Sequence, residues 1–145
     1  MIERPLSALL LQTASLYRQA IARRIKSEPW LVDAGFRPAC VGALLTVGSL
    51  QPLSQRELSS QLGIDPSDLV AVIDILERAG FVARRRDPAD RRRQVLSLTS
   101  AGDGAVGRLR ILLKDVDDEV LEPLPSRDRD HLRGLLDGVV AHHLA

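Results

Sequence analysis

Apolar residues recur along this chain with helical spacing, broken once by a short stretch of strand-like alternation. Residues 6–27 carry two stripes, Leu6, Leu9, Leu16, Ala20 and Leu10, Ala14, Tyr17, Ile21, Ile25. A helix apolar around so much of its circumference needs cover from more than one side. Pro29 ends it, and Ser27-Glu28-Pro29-Trp30 reads as a link. Arg37 to Ser49 predicts a further helix, with Pro38 in its first turn. From Ala101 to Leu121, Val106, Leu109, Leu113, Val116 and Val120 alternate steps of three and four, a heptad-like seam. Thr99 and Ser100 signal its start, with Asp103 in the first turn. Pro123 and Pro125 break this helix. A last one opens at Ser126 and carries Leu132, Leu135, Leu136, Val139, Val140 and Leu144. Outer helices this apolar point to an intertwined dimer more than to a bundle closed within one chain.

The middle of the chain is more specific. Leu53 to Gly102 predicts two short helices joined by a tight turn, then a hairpin loaded with arginine. Ser54 and Glu57 have capping-box spacing for the first helix. Gly63 stops it, and Asp65-Pro66 supplies an N-cap and a first-turn proline for the second. In the second helix Leu69, Val72, Ile73 and Leu76 form a buried stripe. The opposite face presents Ser67, Ala71, Asp74 and Arg78, flanked by Asp68, Val70 and Ile75.

That order, helix-turn-helix followed by a β wing, suits a DNA duplex. The second helix of such a motif enters the major groove with its N-terminal residues at the base edges. Ser67, Asp68, Val70 and Ala71 are therefore the candidate readers. A serine bonds to several bases, an aspartate accepts from the cytosine amine, and valine or alanine packs on a thymine methyl. Ser54, Gln55, Arg56 and Asp74 complete the helical part of the candidate interface.

Charge sharpens the picture. Arg84 to Arg93 holds six arginines and two aspartates, a local +4 in a chain whose net charge is +1. A basic face on a near-neutral protein marks where an anion docks. Asp87-Pro88-Ala89-Asp90 reads as a turn that places Arg91 to Arg93 at the ribbon tip. An arginine there can enter a narrow minor groove. Arg84, Arg86, Asp90, Arg91, Arg92 and Arg93 are the wing candidates. Asp115 to Asp130, with seven acids against two arginines, would repel DNA.

These residues resemble the MarR family of bacterial transcriptional regulators over nearly the whole chain. The LSQRELSSQLGID turn, the LERAGFVARR strand entry and the DPADRRRQVLSLTSAG wing carry the resemblance, together with the long flanking helices. It implies a mainly α fold with a small β wing and an obligate homodimer that binds a pseudo-palindromic operator. The implied function is a ligand-responsive repressor. Asp90 and Arg92 match the family's wing tip, where the aspartate steadies the arginine that enters the minor groove. Many members carry Thr-Arg or Ser-Arg where this chain has Val70-Ala71, so a usual polar and basic contact is missing. The resemblance also implies a pocket for small lipophilic or phenolic anions near the junction of the pairing helices and the DNA module. Tyr17, Arg23, Trp30, Phe36 and Cys40 are its nearest candidates by sequence, each of which also reads as ordinary packing or surface.

Other chemistry is sparse. A chain of 145 residues suits one domain, expected to divide into a winged-helix module over residues 37–99 and dimerisation helices over 1–30 and 100–145. One cysteine excludes an internal disulfide, and three histidines without zinc spacing predict no metal site. No cofactor motif or catalytic constellation is expected. No leader or membrane span is read in the sequence, which predicts a cytoplasmic protein. A winged helix that binds protein instead of DNA stays open beside the regulator reading.

Overall fold

The computed structural model describes residues 2–144. Seven helices and two strands follow one another as α1 (Leu6–Ser27), α2 (Pro29–Asp33), α3 (Pro38–Leu50), α4 (Gln55–Leu62), α5 (Pro66–Arg78), β1 (Val82–Arg86), β2 (Gln94–Leu98), α6 (Ser100–Val120) and α7 (Ser126–Leu144). The fold is mainly helical with one antiparallel β1–β2 hairpin, as the sequence predicts.

α3 is the central element because most of its surface is apolar. Cys40, Val41, Ala43, Leu44 and Val47 are all buried, and α3 packs against α1, α4, α5, α6 and β2. Around it Leu31, Leu53, Leu58, Leu69, Ile73, Leu76 and Leu109 are fully buried. Leu53 adds a one-residue third strand: its amide donates to the Leu96 carbonyl at 3.3 Å, and the Leu96 amide donates back at 2.7 Å. This bridge roots the base of the hairpin in the core.

α6 starts where the wing ends, and a cap and a close approach fix the join. The Gly102 amide donates to Thr99 Oγ1 at 3.0 Å, while the Thr99 amide donates to the Phe81 carbonyl at 3.0 Å. A Cβ at Gly102 would lie 2.1 Å from that same carbonyl oxygen. Only glycine fits there without a shift of backbone.

Two expectations need correction. Pro29 ends α1 but also opens α2, so Trp30 lies on a short helix and not in a link. Proline at the first helical position gives up an amide that has no partner there anyway. The seam on α6 is also placed differently. Leu109 and Val116 are fully buried within the chain, together with Ala105 and Leu112, while Val106, Leu113 and Val120 are half-buried against the same core. α6 packs on α1 and α3 of its own chain.

Uncovered apolar surface lies on α1 and α7. α7 has no buried residue. Its ties to the rest include Arg129, which reaches Asp118 at 2.8 Å and the Leu124 carbonyl at 2.8 Å, and Gln61, whose amide donates to the Leu144 carbonyl at 3.2 Å. Leu135, Leu136, Val139 and Val140 are exposed on α7, as are Leu6, Leu9, Leu10, Leu11 and Leu16 on α1.

Candidate nucleic-acid interface

The α4–turn–α5 unit is set by its caps. The Glu57 amide donates to Ser54 Oγ at 3.1 Å, starting α4. Gly63 ends it at φ 63°, in the left-handed region that favours glycine. Asp65 then accepts from both the Ser67 amide (2.9 Å) and the Ser67 hydroxyl (2.7 Å) to open α5. These two bonds hold the Asp65 carboxyl below the usual carboxylate range. Leu69, Val72, Ile73 and Leu76 face the core. Ser67, Asp68, Val70, Ala71 and Asp74 are exposed along α5, on the side away from that stripe. The Ser67 hydroxyl proton is committed to the cap, so in the free protein this side chain has lone pairs to offer.

The wing is a short ribbon with Val82 opposite Leu98 and Arg86 opposite Gln94. Its tip closes through two overlapping turns. The Ala89 amide donates to Asp87 Oδ1 at 2.9 Å and the Arg93 amide to the Asp90 carbonyl at 3.0 Å. The Arg92 amide and Nε both donate to Asp90 Oδ1, at 3.1 and 3.3 Å. Arg92 remains 93% exposed, held at its root and open to solvent at its end.

The six wing arginines separate into two kinds. Arg84 shares a face of β1 with buried Val82. Its Nε meets Glu77 Oε1 at 2.8 Å, with Gln55 Oε1 at 3.3 Å and Asp74 at 3.7 Å. Arg93 pairs with Glu57 of α4 and with Asp87 at 3.4 Å. Both were expected among the DNA-facing cations, and Arg93 at the tip; the structure puts each in an internal ion pair. Arg85, Arg86 and Arg91 are exposed without an acidic partner among the described residues. Arg56 is likewise exposed on α4. Strand alternation separates Arg84 from its neighbour Arg85, which lies on the other face, a signal the count of arginines passes over. Glu57 completes only half of a capping box: its amide caps α4 while its carboxylate pairs with Arg93.

The ligand candidates do not converge. Trp30, Phe36 and Phe81 form an aromatic cluster with ring centroids 6.0–6.4 Å apart, and the Arg108 guanidinium lies 4.0 Å over Trp30. Cys40 is fully buried in α3, and burial pushes its thiol pKa up. Arg23 pairs with Glu119 on α6. Only Tyr17 lines the large cleft of about 640 Å³ between α1, α6 and α7, with Lys114, Arg129 and Leu136 among its neighbours there. The Tyr17 hydroxyl donates to Asp117 at 2.9 Å, and burial, then this bond, raises its pKa to about 12.

Comparison with known proteins agrees with this layout. The MarR family model matches residues 41–93, from α3 through the wing tip. Over that span, which holds the helix-turn-helix and the wing through its tip, the chain is similar to the MarR family. Among curated relatives, a Thauera aromatica protein named for regulation of the hcr operon is 32% identical over 102 residues, 70% of this chain. The match spans 61% of that relative's length. The HTH-type transcriptional regulator BilQ of Clostridium symbiosum is 28% identical over 84% of this chain and 83% of its own. Apo MarR from E. coli superposes with a TM-score of 0.78 at 22% identity, over 95% of this chain and 98% of its own. CouR from Rhodococcus jostii RHA1, solved with p-coumaroyl-CoA, gives 0.69 at 25% identity, over 91% and 89%.

Proposed function

We propose that this chain is a MarR-family DNA-binding transcriptional regulator acting as a homodimer, a repressor of a pseudo-palindromic operator released by a small lipophilic or phenolic effector. The observation that carries this reading is the wing: Arg84 ties a hairpin with a solvent-exposed arginine tip directly to Glu77 and Asp74 of α5. A recognition helix and a minor-groove arginine are thereby joined in one unit, the arrangement needed to read a duplex through two grooves. Residues 37–99 would form the DNA module, with 1–30 and 100–145 as the pairing helices. Ser67, Asp68, Val70 and Ala71 would read base edges, with Arg85, Arg86, Arg91 and Arg92 on backbone and minor groove. Ser54, Gln55 and Arg56 would approach the phosphates at the start of α4.

The names of the curated relatives support the regulator reading, and the p-coumaroyl-CoA in CouR supports an effector. The apolar faces of α1 and α7 support the homodimer. No described helix is long and apolar enough to cross a membrane. We place the protein in the cytoplasm, with its DNA.

The second reading, a winged helix that binds protein, is favoured by one feature: the exposed first turns of α5 carry Asp68 and Asp74 but no cation. A gel-shift with the DNA upstream of the protein's own gene separates the two. The regulator reading predicts a discrete complex that survives excess unrelated duplex. No shift at low salt would reject it.

A further inference from the structure

We propose that Arg93 is a positioning residue that latches the far end of the wing to α4, and not one of the cations that meets DNA. The part of this concerning DNA rests on the regulator reading above. A two-stranded hairpin is marginally stable by itself, and here its base is rooted by the Leu53–Leu96 bridge. The end that carries Arg92 needs a separate tie, and Arg93 sits immediately before β2, where such a tie would act.

Both its backbone and its side chain are engaged. The Arg93 amide donates to the Asp90 carbonyl, and its own carbonyl accepts from the Asp87 amide at 2.8 Å. Its guanidinium lies between two carboxylates on different elements: Asp87, within the wing, and Glu57, in the first turn of α4. One positive and two negative charges leave that cluster at −1. A phosphate approaching it would meet no net attraction. Arg92 differs in its side chain, which has one carboxylate partner, two residues away, and lies almost wholly in solvent. Arg93 thus fixes where Arg92 is held relative to α4 and α5.

A double-mutant cycle of Glu57→Gln, Arg93→Ala and the pair, titrated on the upstream duplex over a salt series, tests this. Exposed ion pairs contribute weakly, so each single change should reduce affinity about 2- to 5-fold, and the double variant should bind no worse than either single one. Glu57→Gln should weaken binding even though it removes a negative charge from a surface that meets a polyanion. The slope of log K against log[salt] should not change with Arg93→Ala. Tighter binding by Glu57→Gln would overturn the latch. So would an Arg93→Ala loss that is equal in both backgrounds and lowers the slope by about 0.9 per copy.

Hydrogen exchange on the free protein reads the latch without DNA. Glu57→Gln should speed exchange across residues 87–98 and leave α3 unchanged. Unaltered exchange there would reject the latch whatever the DNA result, whereas a wild-type protein that fails to shift DNA would reject the regulator reading and leave the latch to stand on exchange.

Discussion

Leu135→Asp combined with Val139→Asp should convert the proposed homodimer into folded monomers. The two side chains lie one helical turn apart on α7 and are each 58% exposed in the protomer. Neither lines the cleft toward α1 and α6, which takes Leu132, Leu136 and Val140 instead. They therefore face away from their own chain, toward the proposed partner. Fully burying a leucine or valine contributes about 1.5–3 kcal/mol, so the exposed part of each is worth roughly 1–2 kcal/mol on pairing. Four such side chains in a symmetric dimer give about 4–7 kcal/mol, before the cost of placing carboxylates in an apolar seam. A loss of 4 kcal/mol already weakens dimerisation about a thousandfold. Light scattering on a sizing column should show the wild type near twice the protomer's 15.9 kDa and the variant at that mass. Circular dichroism should show the winged-helix core still melting cooperatively, because no residue of α7 is buried in its own chain. A wild type that runs as a monomer, or a variant that stays dimeric, would refute the pairing surface.

Three further outcomes follow from the geometry. Arg92→Ala should lower operator affinity by roughly 1.5–3 kcal/mol per site contacted, the range for a hydrogen bond to a charged group, with an unchanged melting temperature since the side chain is 93% exposed; this is read by anisotropy at fixed salt. Gly102→Ala should destabilise by about 1–3 kcal/mol through overpacking on the Phe81 carbonyl, whereas Gly104→Ala, which meets nothing within 4 Å, should be neutral or stabilising in thermal melts. Tyr17, the single tyrosine, should ionise near pH 12 by ultraviolet absorbance. Because its folded pKa is raised above 10, its contribution to stability is present below pH 10 and declines as pH climbs toward 12; Asp117→Asn should bring the titration part of the way back toward 10.

Local signals were legible in the sequence because their partners are near in the chain. Ser54, Gly63, Asp65 and Thr99 cap or stop helices through contacts within a few residues, and the Leu69–Leu76 stripe follows from helical period alone. What periodicity does not assign is ownership. The α6 seam and the α7 stripe look alike as patterns, yet one closes on α1 and α3 while the other is left open. Charge pairing was likewise hidden: Glu57 of α4 meets Arg93 with all of α5 and β1 between them in the chain, a separation no spacing rule covers. Counting arginines therefore overstated the cations free to face DNA, and the strand parity of Arg84 was the one clue available beforehand.

The salt dependence of binding to the upstream duplex tests the central claim most directly. Arg85, Arg86, Arg91 and Arg92 stand clear of cross-element ion pairs, giving up to eight cations in a dimer. At about −0.9 per phosphate contacted, log K against log[salt] should be linear with a slope between roughly −4 and −7. A flat plot, with affinity indifferent to salt, would contradict DNA binding through this wing.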